Sequence, residues 1–255
     1  MEHDIFPLLN EWPYNPQNNV RILSIGGRKE VIQVRKPMGI EQYELDGRPD
    51  GKRPFGKTSV LEEFEDRYTR HQKEGMSDEE FVIDHESFLL LQEEGLLNYY
   101  RYLILFQSGD MERTIKDTDC NLRICELIDR FCHIQEDRDL MLQYRPYILR
   151  INAVARAMIA MKQQMNAVGR EIIEDAITEI NNLPEINNMT FQFEKIRSLN
   201  YLKVTLSQLA DTKQVSMLDQ LKLELEDAVK IENYEKAAEI RDKIQELTRE
   251  EKSPP

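Results

Sequence analysis

The chain has 255 residues, 40% of them apolar, and sets 34 Lys and Arg against 47 Asp and Glu, a net charge of −13. That is enough apolar content for one or two buried cores, while the acidic balance opposes broad contact with nucleic acid or anionic lipid. The N-terminus lacks a basic region leading into an apolar run, and the most apolar segment, residues 96–106, is short and contains Arg101, so a cytoplasmic protein that stays out of the membrane is expected.

From residue 19 to about residue 45 the sequence alternates and is rich in β-branched residues: VRILSI, the turn GGRK, EVIQVRK, then IEQYEL. Glycine between such runs marks hairpins, which predicts a small antiparallel meander. A glycine- and proline-rich loop follows and contains GKRPFGKT at 51–58, matching the phosphate-binding pattern G-x-x-x-x-G-K-[ST] through Gly51, Gly56, Lys57 and Thr58. Such a loop works when a buried strand ends at its first glycine and alternating strands and helices surround it. Here Asp46 to Asp50 intervene after the last strand, and no such alternation follows. The expectation is therefore a turn leading into a helix capped by Thr58 or Ser59, with Arg48, Lys52, Arg53, Lys57 and Thr58 as candidate anion contacts.

Beyond Gly75 the pattern is helical. Ser77 followed by Glu80 reads as a capping box opening a helix to about Gln107, with Phe81, Phe88, Leu91, Tyr99, Leu103 and Phe106 on its apolar stripe. Gly109 stops it, and a further helix spans about 110–133. Pro146 suits the first turn of another, whose Leu149, Ala153, Ala157, Met158, Met161 and Met165 read as core and whose pattern continues past Gly169 to about 181. Tyr99, Tyr100 and Tyr102 read as packing between helices. NNLPEINN is a loop, Thr190 to about Leu209 an amphipathic helix, and ADTKQVS a linker by composition.

Cys120, Cys125 and Cys132 are an odd number in a helical pattern, which fits reduced thiols. With His133 they invite a metal reading, but positions 120 and 125 do not share a helix face, so buried apolar filler is the better reading. His3, His71, His85 and His133 have no local partner signal for catalysis. No catalytic residue, metal or cofactor is assigned.

From Ser216 two apolar stripes follow each other: Leu218, Leu221, Leu225, Ala228 and Val229, then, after ENY, Ala237, Ala238, Ile240, Ile244 and Leu247. Two helices so closely joined fold back as an antiparallel hairpin, in which Ala237 and Ala238 allow close backbone approach. The pattern LxxxLxxAVxxExYExAAxIRDxIxxL closely resembles the UVR motif, found in the excision-repair proteins UvrB and UvrC, in Clp-type unfoldase subunits and in the activator of bacterial protein arginine kinase. The resemblance implies a hairpin that docks onto a similar hairpin or another helical protein, in a bacterial setting. Leu221, Leu225, Ala228, Tyr234, Glu235, Ala237, Ala238, Arg241 and Asp242 are its candidate partner contacts, Tyr234 and Arg241 because such residues favour interface hot spots. The helicase, nuclease and Cys-x-x-Cys features of those proteins are absent from this sequence.

The expected architecture is α+β and mostly α: a small N-terminal antiparallel meander within 1–57, a helical bundle at 58–210 and a helical hairpin at 217–250. The expected function is non-catalytic docking to a bacterial partner with a similar or complementary helical surface, of the excision-repair, Clp-unfoldase or arginine-kinase type, or to a second copy. Phosphate or nucleotide binding by the 46–58 loop is one alternative. An excision-repair accessory touching DNA is another, and the charge disfavours it.

Overall fold

The computed structural model describes residues 4–26, 29–211, 225 and 240–241. The chain divides into two compact units, residues 1–203 and 204–255. The fold is α+β and mostly helical, as the sequence predicts.

The β-branched runs form the meander: β1 (Val20–Ile25), β2 (Lys29–Lys36) and β3 (Gly39–Glu44), antiparallel in the order β1-β2-β3. Ile32 of β2 stands opposite Ile22 on one side and Tyr43 on the other. Neighbouring residues of a strand face opposite ways. Ile32 accordingly packs with Leu45 and with Leu105 from the helical body, while Arg35 points the other way and donates to the carbonyls of Trp12 (2.7 Å) and Leu9 (3.4 Å). Those carbonyls belong to a short helix, α1 (Phe6–Glu11), and the residue after it, which periodicity did not predict.

The body contains α2 (Val60–Lys73), α3 (His85–Gln107), α4 (Met111–Phe131), α5 (Gln135–Leu142), α6 (Arg145–Lys162), α7 (Asn166–Asn182) and α8 (Met189–Asp211). α3 packs on α4, α4 on α6, and α6 on α7. The core is shared by Val60, Leu61 and Phe64 of α2, Phe88 and Leu91 of α3, Ile124, Ile128 and Phe131 of α4, and Ile148 of α6. Ser59 caps α2 by accepting from the Glu62 amide at 3.0 Å, and Pro146 sits in the first turn of α6.

Three expectations need correction. The Ser77–Glu80 box exists, with the Ser77 amide donating to the Glu80 carboxylate at 3.0 Å, but it opens a single 3-10 turn, Asp78–Glu80. The chain then runs extended so that buried Ile83 can donate its amide to the Phe131 carbonyl at 2.9 Å, and Asp84 caps α3 by accepting from Ser87 at 2.8 Å. The Pro146 helix stops at Lys162, where Gln164 takes a positive φ of 62°. That break lets α7 fold back with Gly169 close against α6; a Cβ there would lie 3.4 Å from the Ala157 carbonyl oxygen. Met158, Met161 and Met165 are exposed rather than core, because α6 turns its alanine face, Ala153, Ala157 and Ala160, inward. Among the described residues no helix is long and apolar enough to cross a membrane.

Candidate functional site

The expected anion loop comes first in the chain. Its bends are set by Gly51 (φ 71°) and Gly56 (φ 77°), where glycine is favoured, and by Phe55 at φ 56°. Three of its four cations, Arg48, Lys52 and Lys57, meet carboxylates of the same chain. Arg48, 5% exposed, reaches Asp50 (3.0 Å), Glu93 (2.9 Å) and Glu94 (3.3 Å). Burial works to lower its pKa, yet the hydrogen bonds it donates to Glu93 and Asp50 outweigh that and raise it above the usual value. Lys57 pairs with Asp66 and with Glu63 at 3.4 Å. Thr58 donates its hydroxyl to Glu62 at 2.6 Å. Lys52 lies 3.6 Å from Asp50, its side chain mostly in solvent, and Arg53 is exposed.

The α2 N-terminus, where a phosphate would sit, is filled from within. Free amides at a helix start attract an anion, and the amides of Val60 and Leu61 donate to the buried Glu94 carboxylate at 2.7 and 3.0 Å. The loop therefore behaves as a latch between the sheet and the body. A second latch lies two turns further along α3: Arg101 grips Asp117 of α4 with two hydrogen bonds (2.8 and 2.6 Å) and donates to the carbonyls of Glu44 and Gly47. Burial pushes the Asp117 carboxyl up against the pull of Arg101. Between the two latches Asn98 donates to Asn121 at 3.1 Å, and Asn121 donates to the Gly95 carbonyl at 2.9 Å.

α3 thus turns polar groups inward among its core residues Phe88, Leu91, Tyr102 and Leu105, and leaves apolar side chains outward beside Glu86 and Glu93. Leu89 (46% exposed), Leu96 (49%) and Tyr100 (46%) face solvent. Leu89, Gln92, Glu93, Leu96 and Tyr99 form one wall of a groove of about 610 Å³. Leu140, Met141, Tyr144, Tyr147 and Ile148 form the other, with Gly95, Tyr102 and Asn121 beneath. Gly95 makes the close approach possible, since a Cβ there would lie 2.9 Å from the Met141 methyl carbon. Tyr99 stacks edge-on with Tyr102 and Tyr147 at 5.6 and 6.0 Å between ring centres, and burial pushes the Tyr147 hydroxyl up to about 12. Of the three tyrosines read as interhelical packing, Tyr102 is buried and Tyr99 packs on Tyr147 of α6, both lining the groove, whereas Tyr100 is exposed. Near the start of α3, His85 Nδ1 meets the Asp137 carboxylate of α5 at 2.9 Å.

Cys125 and Cys132 are buried and Cys120 partly so. Burial raises the Cys120 and Cys125 thiols to about 12 and raises Cys132 as well. Among the described residues no cluster of three or more His, Cys, Asp or Glu is placed to hold a metal.

Of the expected partner contacts, Leu225 and Arg241 are described, both helical, Leu225 half-buried and Arg241 exposed. Leu221, Ala228, Tyr234, Glu235, Ala237, Ala238 and Asp242 lie outside the described residues. Searches of curated proteins and of solved structures found no match to the chain. The family model of the UvrB/uvrC motif matches residues 216–250, so the chain carries a UVR motif behind its helical body.

Proposed function

We propose that the chain is a non-catalytic adaptor that docks through residues 216–250, folded as a helical hairpin, onto a helical surface of a bacterial partner. The partner is of the excision-repair, Clp-unfoldase or arginine-kinase type, or is a second copy carrying the same hairpin. The observation behind this reading is the UVR match over 216–250, joined to the two stripes around Ala228 and Ala237–Ala238. A hairpin of that length buries little area alone, which leaves its apolar stripe for another helix. Leu221, Leu225, Ala228, Ala237 and Ala238 form the apolar contact, and Tyr234, Glu235, Arg241 and Asp242 supply specificity.

The internal pairing of the 46–58 loop argues against phosphate binding there, because a phosphate at the α2 N-terminus would have to displace Glu94. A flat calorimetric titration with ATP and Mg²⁺ is expected, and saturable heat would revive that alternative. For the hairpin, capture of partners from bacterial lysate is expected with the full chain and lost on deletion of 217–255. Tyr234→Ala and Arg241→Ala should each weaken capture by about tenfold, in the range of interface hot spots. Unchanged capture by both single variants would remove those two residues from the docking surface.

A further inference from the structure

The groove between α3 and the α5–α6 corner lies within residues 89–148 and stands independently of the hairpin. We propose that it is a second docking site, for a basic amphipathic helix of about three turns contributed by a partner protein.

Length, exposure and charge select that occupant. From Leu89 to Tyr99 the α3 wall covers ten residue steps, about 15 Å at ~1.5 Å per residue, or nearly three turns of a partner helix. The rim is open: Leu89, Leu96, Leu140 and Tyr144 are each 46 to 49% exposed. Small ligands are generally enclosed over roughly 70–90% of their surface, whereas a rim of half-open leucine and tyrosine suits an elongated apolar stripe laid along it.

The charge lining the groove is negative, while buried Arg150 stacks 4.8 Å from the ring of lining Tyr147. Glu93 is its one acidic lining residue, and no Lys, Arg or His lines it. Behind Glu93, Arg48 is shared among Asp50, Glu93 and Glu94, so that cluster remains net negative. Exposed Glu86 lies seven residues before Glu93 on α3, and exposed Glu136 four residues before Leu140 on α5, each continuing its wall's face by one or two turns. Lysines or arginines flanking the partner's apolar stripe would complement these carboxylates. The hairpin of a second copy has the wrong sign, with ten acidic against six basic residues in 216–250.

The test is fluorescence anisotropy of the full chain with a dye-labelled synthetic peptide of about 14 residues, leucines at helical stripe spacing and lysines elsewhere. Saturable binding is expected, weakened at least about tenfold by Leu96→Glu. That substitution adds negative charge, so diffuse attraction of a cationic peptide to an acidic chain would instead strengthen. Unchanged or tighter binding to the variant overturns the proposal, as does equal binding of a leucine–glutamate peptide. Wild-type self-association that Leu96→Glu abolishes, without peptide binding, also overturns it and makes a second copy the occupant. Circular dichroism verifies the fold of the variant; should it fail, Leu89→Ala, at another exposed position, carries the test with an expected loss of about threefold.

Discussion

The two faces of α3 both depart from the usual amphipathic helix, the inner one setting polar groups among buried Phe88, Leu91, Tyr102 and Leu105 and the outer one leaving leucines in solvent. Its inner face buries Glu94, Asn98 and Arg101, and its outer face exposes Leu89, Leu96 and Tyr100. The inner groups are tolerated because each is matched: Glu94 by two helix-start amides and Arg48, Asn98 by Asn121, Arg101 by Asp117 and two carbonyls. Polarity on that face fixes where the sheet and its loop attach to the body. Apolarity on the other face buries nothing comparable within residues 85–148, so it is the face with surface to offer. Stability should therefore depend on the buried charges, and recognition on the exposed leucines.

The largest effect is expected at Asp117→Ala. It leaves Arg101, 5% exposed, with the carbonyls of Glu44 and Gly47 but without its paired carboxylate, and breaking one side of a buried ion pair typically costs about 3–5 kcal/mol. Urea denaturation measures it, and a loss under about 1 kcal/mol would mean the inner face is not a latch. Glu94→Ala comes next, at about 3 kcal/mol, since it removes the acceptor of the Val60 and Leu61 amides and one partner of Arg48. Hydrogen exchange at the start of α2 should quicken in that variant.

A smaller effect concerns the thiols. Cys120 of α4 sits against the inner face of α3, beside Asn98 (3.3 Å), and, like Cys125, is raised to about 12 by burial. An unfolded thiol ionises near pH 9, earlier than these folded ones, so the folded state binds more protons between those values and stability falls as pH rises from about 9 toward 12. At pH 8 neither thiol should react with a disulfide reagent until the protein unfolds. Prompt labelling of Cys120 would show the inner face to be open. The smallest effect sharpens the contrast: Leu89→Ala and Leu96→Ala should each change stability by no more than about 0.5 kcal/mol, as at exposed sites generally.

Much of the fold was legible because its signals are local. The meander followed from alternation, the α2 cap from Ser59, the start of α6 from Pro146. What escaped depended on distant partners. Ser77 and Glu80 do form their box, but Asp84 is the cap that α3 uses, because Ile83 must pair with Phe131 across the body. α5 carries Glu136, Asp137, Arg138 and Asp139 in its first turns, too polar to show a long apolar stripe. Met158, Met161 and Met165 fit the helical period as well as the alanines beside them, and packing chose the alanines. The groove was hidden for a related reason, as Leu96 and Tyr99 look like core in any one-helix reading until Glu94 and Arg101 are seen to take the inside. The UVR motif was legible for the opposite reason, since its identity is carried by residue spacing within one continuous segment.

Parallel affinity capture from bacterial lysate with the full chain, the chain lacking 217–255 and Leu96→Glu tests the adaptor reading most directly. The deletion should abolish capture of the hairpin's partner while Leu96→Glu leaves that capture intact. An unchanged set of captured proteins after the deletion would contradict the assignment of docking to residues 216–250.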